Sequence, residues 1–542
     1  MKFGPCLEAA KRSAIFAIKP IHLSGLISRL EKNCGPLQTL YYWPHSSKHV
    51  SSVLVTCEDG TRLQHCLNSF PNYPRVRIPF TLRSSNGTDH SLSAFRICSD
   101  PTVFKRFDSE CNSFEKLIGH YGHRFQPQSI RLTALKLNQE LIQSCDSVDA
   151  QAKMLLDNLT ITKADQISRL LFVDSLEHSL SELRPCTRVL PFGSAISGTG
   201  TPSSDLDLVV RLGPEPDPVF ARLYENLHPK FKFDNFLSSL VSRNGTQSSK
   251  VLRHLRQLLN KLDPMGIQDS KLLGGRIPLL HVVHHRLLGI GIDISKFGKQ
   301  GHEDLFVVQE SATWQRKLMR TSPVILESLL LLKHILRSNN VLKLGPGLTF
   351  TSTKVMAVFI HFLQQAGYAP PIKYLLSYEI SNLDQLNEEI LDETFTMPKT
   401  LELKTPPSAV RVIEEFFDYV PTLDPSQVEI SLLEGTVYPR KSRDMFCFDK
   451  TIDHKLTVHS PAECHFLYIP DPVRSDLNIT HHIQPQHWRN FVESVCNFSQ
   501  ILKLNCLPSM RTHRDSAWGL AAVATACREK PLKYQPKKQR LN

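Results

Sequence analysis

The stretch Ser204-Asp205-Leu206-Asp207-Leu208-Val209-Val210 sets two carboxylates at positions i and i+2 of an apolar run. In an extended strand such residues share a face, which predicts Asp205 and Asp207 on one side and Leu206, Leu208 and Val210 on the other. Two carboxylates a few ångströms apart repel unless a cation lies between them, and a hard divalent ion with oxygen ligands suits that geometry. Just upstream, Pro191-Phe192-Gly193-Ser194 closes a short apolar run. Gly193 permits a tight turn, and an exposed amide with the Ser194 hydroxyl then offers donors to a phosphate. Farther on, Leu288-Gly289-Ile290-Gly291-Ile292-Asp293-Ile294-Ser295 alternates, with Ile290, Ile292 and Ile294 on one face and Gly291, Asp293 and Ser295 on the other. Asp293 is then a third carboxylate and the natural general base for an attacking hydroxyl. Three carboxylates suffice for a two-metal phosphoryl transfer, where one ion activates the hydroxyl and the other neutralises the leaving pyrophosphate.

Singly, each signal is weak. Asp-x-Asp is common on solvated strands, and a strand-end aspartate usually only faces water. The combination resembles the nucleotidyltransferase signature of the DNA polymerase β-like superfamily: Gly-Ser, a spacer, then Asp-x-Asp. The cluster His281-x-x-His284-His285 lacks a partner ligand at metal-site spacing and reads as structural or surface. Lys333 interrupts the apolar helical stretch 323–337, where a lysine either snorkels to solvent or meets an anion.

The elements that must carry these residues follow from periodicity. Residues 13–18, 37–43, 50–56 and 76–82 read as strands, and 23–30 and 62–70 as helices. That β-α-β-β-α-β order is the ferredoxin-like or RNA-recognition-motif arrangement. Val53-Leu54-Val55-Thr56 offers no aromatic on which a base could stack, so self-association or a structural role competes with RNA binding for this module. Residues 86 to about 145 read as connector, and 149–183 as one long helix under the catalytic sheet. A proline-rich loop covers 213–218, an amphipathic helix 251–262 and a strand 276–283. Beyond 300 the chain turns helical, over 323–337, 349–364, 414–419 and 488–502, with a proline-bounded polar segment at 469–479 and a basic disordered tail from 528.

The totals set the class. The chain has 542 residues, 41% hydrophobic and 21% charged, as in ordinary globular proteins of several domains. A net charge of +12 favours polyanionic partners, nucleic acid first. Thirteen cysteines, none in a Cys-x-x-Cys pair, argue for scattered reduced thiols rather than a disulfide framework or zinc knuckle. No apolar run reaches membrane length, since Glu327 and Lys333 break the best one. The amino terminus, with Lys2, Lys11, Arg12 and Lys19 against Glu8, is compatible with a mitochondrial presequence and equally with a cytoplasmic chain.

Several blocks then agree in order. The Gly-Ser and Asp-x-Asp pair is followed by Arg276-Ile277-Pro278-Leu279, Asp293, Leu330-Leu331-Leu332-Lys333-His334, Phe362-Leu363-Gln364, Glu415-Phe416-Phe417-Asp418-Tyr419, Ile469-Pro470-Asp471-Pro472 with Asn478, and Ala517-Trp518-Gly519-Leu520. Together they resemble the noncanonical poly(A) polymerase and terminal uridylyltransferase family, most of all its animal mitochondrial members. The resemblance implies an α+β fold: a nucleotidyltransferase palm sheet (149–300), a helical poly(A)-polymerase-associated domain (301–525) and a small RRM-like module (13–85). A candidate targeting segment (1–12), a connector (86–148) and a basic tail (526–542) would complete the chain. It implies that Gly193 and Ser194 contact a triphosphate, that Lys333 and Ser352 reach phosphates, and that Asp205, Asp207 and Asp293 hold Mg²⁺ or Mn²⁺. The implied reaction adds AMP from ATP to RNA 3′ ends in the mitochondrial matrix, with a homodimer through the amino-terminal module. A uridylyltransferase and a catalytically silent RNA-binding scaffold remain rivals. Phe297 and Gly298 stand where the family often has asparagines, Thr353 where it has a base-stacking aromatic, and Ile335 where it has tryptophan. These departures bear on base selection and on whether the chain is active.

Overall fold

Strand alternation gives the amino-terminal sheet two apolar faces with different partners. β1 (Ser13–Ile18), β2 (Leu37–Trp43) and β3 (Ser51–Cys57) form within a residue of where the sequence predicts them. The computed structural model describes residues 3–18, 23–43, 51–68, 97–98, 125–127, 134–183, 187–211, 252–253, 255–256, 270–273, 279–285, 290–296, 301–342, 350–376, 401–440, 465–504 and 516–526. Strand order in this sheet is β4-β1-β3-β2-β5. β4 (Ile97–Cys98) runs parallel to β1, and β5 (Phe125–Pro127), from the stretch read as connector, runs parallel to β2. The strand expected at 76–82 lies outside the described residues, as do the 213–218 loop, most of 251–262, Phe297, Gly298 and the basic tail.

Ala14, Phe16, Leu40, Tyr42, Val53 and Val55 point to one side, under the helices Leu23–Cys34 and Gly60–Asn68. Their neighbours Ile15, Tyr41 and Leu54 point to the other. An RNA-recognition module stacks bases on the sheet face opposite its helices. Here that face is closed: Tyr41 is buried against Cys6, Ala9 and Ala10 of the helix Phe3–Lys11 and Ile167, Leu170 and Leu171 of the helix Lys163–Leu183. The stretch 1–12, read as a candidate targeting segment, thus supplies a packed helix from residue 3.

The second sheet has the order β6-β7-β10-β9-β8: Arg188–Phe192, Leu206–Arg211, Ile290–Lys296, Leu279–His285 and Ser270–Leu273. β7 and β10 are parallel and the other pairs antiparallel. Leu206, Leu208, Val210, Ile292, Ile294, Leu280 and Val282 are all buried, leaving the aspartates the opposite face.

The long helix expected at 149–183 is two helices, Val148–Leu159 and Lys163–Leu183. The run Thr160-Ile161-Thr162 is β-branched, and Thr162 with Asp165 builds a new helix start. The Thr162 amide and hydroxyl donate to Asp165 Oδ2, both at 2.8 Å, and the Asp165 amide returns a bond to Thr162 Oγ1 at 3.2 Å. The break also divides the chain. One compact unit comprises 1–131, 161–312 and 381–393; the other comprises 132–160, 313–380 and 394–542. The helix Val148–Leu159 falls in the second unit and the helix Lys163–Leu183 in the first.

That second unit is a helical core around Pro323–Ser338, Ser352–Ala366, Ala409–Tyr419 and Pro485–Leu504, with an unanticipated hairpin of β11 (Val428–Ser431) and β12 (Thr436–Pro439). Asn478, buried, accepts from the amides of Ile469 and Thr480 at 3.1 and 3.0 Å and so closes the 469–479 segment. Trp518 and Gly519 act structurally as well. Buried Gln151 donates to the carbonyls of Leu141 (3.0 Å) and Trp518 (3.2 Å) and accepts from the Leu520 amide (2.8 Å). Gly519, at φ +56°, leaves room for the Gln151 side chain. Among the described residues no helix is long and apolar enough to cross a membrane. Replacing Gln151 with leucine strands three buried backbone groups and is expected to destabilise the chain by about 3 kcal/mol in urea unfolding. A cost below about 1 kcal/mol would contradict this reading of the Trp-Gly segment.

Candidate active site

Asp207 and Asp293 are direct register partners on the parallel strands β7 and β10, so their side chains rise side by side at the strand spacing of about 4.8 Å. Asp205 comes one residue before β7 rather than inside it, as the sequence predicted. It is delivered by a tight loop: the Thr201 amide donates to Ser204 Oγ at 2.8 Å, and the Ser204 amide to the Thr201 carbonyl at 2.9 Å. Buried Arg169 holds that loop, its Nη2 donating to the carbonyls of Thr201, Pro202 and Ser204 at 3.0–3.2 Å. Three residues earlier on the same helix face, Gln166 donates to the Ala195 carbonyl at 3.2 Å. One helix thereby sets both the Gly-Ser turn and the aspartate loop.

Gly193 sits at φ +61° and heads the short helix Ser194–Ser197. Phe192 pairs with Asp207 across β6 and β7, which brings Gly193 against the carboxylate. A Cβ at 193 would stand 2.7 Å from Asp207 Oδ2. A Cβ at Gly291 would collide with Asp205 Oδ1. Only glycine fits either place, and both keep side chains out of the space beside the carboxylates.

Burial, then the charges of Asp293 and Asp205, push the Asp207 carboxyl up to about 7, against the opposing pull of Arg169. Asp293 is turned toward His281, its Oδ1 lying 2.5 Å from Nδ1. Among the described residues no three carboxylate, imidazole or thiol groups are gathered into a ready-made metal cluster. The donor set nonetheless suits a hard divalent cation: three carboxylates of one face, mutually repelling, with glycines on either side.

Lys333 and Ser352 belong to the second unit. Lys333 is buried in the helix Pro323–Ser338, and burial with the nearby Arg337 charge lowers its ammonium to about 7. Ser352 opens the helix Ser352–Ala366. Of the residues the sequence singled out, Gly193, Ser194, Asp205, Asp207 and Asp293 stand together in the first unit. Arg169 and Arg337 were not singled out, and Gly291 and His281 were noted without their closeness to Asp205 and Asp293. Arg337 was legible as a second cation one turn after Lys333; the others needed the register of β9 on β10 or the loop at 201–204.

The sheet order, with a Gly-Ser turn and three neighbouring carboxylates, is that of a nucleotidyltransferase palm fold. Residues 148–302 match the family model described as the central palm domain of mitochondrial-like poly(A) RNA polymerase. The human mitochondrial poly(A) RNA polymerase is 22% identical over 394 residues, covering 71% of this chain and 61% of that protein. The Drosophila melanogaster protein of the same name is 20% identical over 345 residues, covering 61% and 53%. The chain thus spans less than two thirds of the length of these relatives. Among solved structures, mtPAP in complex with ATPγS superimposes with a TM-score of 0.65 at 19% identity, covering 96% of this chain and 98% of that one. Through its palm domain above all, the chain is thus similar to the noncanonical poly(A) polymerases.

Asp207 yields a pH test. A carboxyl whose folded pKa is raised costs stability once ionised, so its contribution declines as pH rises from about 4 to about 7. Without divalent ions, Asp207→Asn is expected to melt above wild type at pH 8, with the difference much smaller at pH 5. An equal difference at both pH values would refute the coupling.

Proposed function

We propose that this chain is a template-independent RNA 3′-terminal adenylyltransferase. The observation that carries the reading is the register pairing of Asp207 with Asp293, with Asp205 and the Gly193–Ser194 turn at their edge. The 3′ hydroxyl of RNA attacks the α-phosphate of ATP, one P–O bond forms as the α–β bond breaks, and pyrophosphate leaves. Mg²⁺ or Mn²⁺ held by Asp205, Asp207 and Asp293 would activate the hydroxyl and neutralise the leaving group. Asp293 receives the hydroxyl proton. The Gly193–Ser194 turn presents amide and hydroxyl donors to the triphosphate, and by the family resemblance Lys333 and Ser352 would supply further phosphate contacts. Lys333, its ammonium lowered to about 7, gains charge when a phosphate approaches, so the contact strengthens with substrate bound.

The names of the relatives support adenylyl transfer and a mitochondrial setting, with the matrix the compartment where such RNA ends would be met. A homodimer through the amino-terminal module belongs to the same reading. Its outer helices or sheet edges would have to serve, because its open face is already covered.

Primer extension tests the reaction. With Mg²⁺ or Mn²⁺ and a labelled RNA oligonucleotide, a ladder is expected with ATP and not with the Asp205→Ala/Asp207→Ala chain. A ladder with UTP alone would move the activity to uridylyl transfer, and no ladder under any condition would overturn the enzyme. Lys333→Met is expected to raise the KM for ATP about 10- to 100-fold, the worth of one charge-assisted bond. An unchanged KM would remove Lys333 from the phosphate site.

A further inference from the structure

One row of side chains crosses the catalytic sheet on its carboxylate face. Asp207 on β7 pairs with Asp293 on β10, Asp293 with His281 on β9, and His281 with Lys271 on β8. The charges therefore run from two carboxylates through an imidazole to an ammonium. Within the row His281 Nδ1 lies 2.5 Å from Asp293 Oδ1. An ionised carboxylate only accepts, so the imidazole nitrogen in this bond carries the proton.

We propose that His281 is a positioning residue for the metal site: it takes Oδ1 of Asp293 and so presents Oδ2 to the cation shared with Asp205 and Asp207. The role rests on the adenylyltransferase reading. Asp293 has Asp207 on one side, which repels it, and His281 on the other, which anchors it. Without the anchor the carboxylate is free to swing away from its neighbours, and each cation bound must then pay the entropy of turning it back.

Magnitudes separate this role from a purely structural one. Both side chains are about a quarter exposed, and ion pairs in such places add about 0–1 kcal/mol to stability. The sheet beneath is held by Leu280, Val282, Ile292 and Ile294, all fully buried. Partners of metal-ligating side chains, by contrast, commonly change metal affinity about 10- to 100-fold when removed.

The test is Mn²⁺ binding by the full chain, followed by electron paramagnetic resonance without RNA or nucleotide, for wild type and for His281→Ala, His281→Gln and His281→Asn. The asparagine amide nitrogen reaches about where Nδ1 lies, whereas glutamine carries its nitrogen out toward Nε2. Mn²⁺ affinity is expected to fall about 10- to 100-fold in His281→Ala and His281→Gln and to return close to wild type in His281→Asn, with melting temperatures little changed. Wild-type affinity in a folded His281→Ala chain would overturn the proposal, as would an asparagine variant that folds yet binds no better than alanine. Should the alanine chain fail to fold, the asparagine–glutamine comparison decides the matter by itself. A wild-type chain that binds no Mn²⁺ would sink the metal site as a whole, whereas failure of His281 alone leaves wild-type binding and primer extension intact.

Discussion

Everything in the first unit answers to one repulsion: three carboxylates held on one face of a sheet. Asp207 and Asp293 face each other because two parallel strands are in register, and Asp205 joins them from a loop pinned by a buried guanidinium. Left alone, the arrangement is unfavourable: burial first, and then the charges of Asp293 and Asp205, raise the Asp207 carboxyl. A fold that keeps such a cluster gains from it when positive charge is added, which links the mutual repulsion of the carboxylates to their use. The glycines at 193 and 291 belong to the same constraint, since a methyl group at either would meet a carboxylate oxygen.

The supporting structure is indirect and economical. The helix Lys163–Leu183 touches the Gly-Ser turn through Gln166, the aspartate loop through Arg169 and the amino-terminal sheet through Ile167, Leu170 and Leu171. The amino-terminal module is thus packed onto the helix that sets the site. Its RNA-recognition-like topology serves as a brace, its would-be stacking face filled by aliphatic side chains and Tyr41.

Much of this was legible in residue order. Period-two alternation located β1, β2, β3, β7 and β10, and Gly193-Ser194 with the three aspartates emerged from the pattern alone. Pairing was not legible. The contact between His281 and Asp293 depends on a bulge between Ile290 and Ile292 that sets the register of β10 on β9. The His281-x-x-His284-His285 cluster was accordingly read as structural or surface, because a histidine's partner across a hairpin cannot be counted off along the chain. The break at Thr160-Ile161-Thr162 was hidden for a different reason: apolar spacing persists across it, and the reciprocal Thr162–Asp165 cap overrides periodicity locally. Lys333 and Ser352 were singled out by type and resemblance, and they lie in the other unit.

The most direct measurement is anomalous diffraction from crystals soaked with Mn²⁺ and a non-hydrolysable ATP analogue. The account expects Mn²⁺ density bounded by Asp205, Asp207 and Asp293, with carboxylate oxygens at about 2.1 Å. Mn²⁺ bound elsewhere, with the three carboxylates unliganded beside an ordered nucleotide, would contradict it.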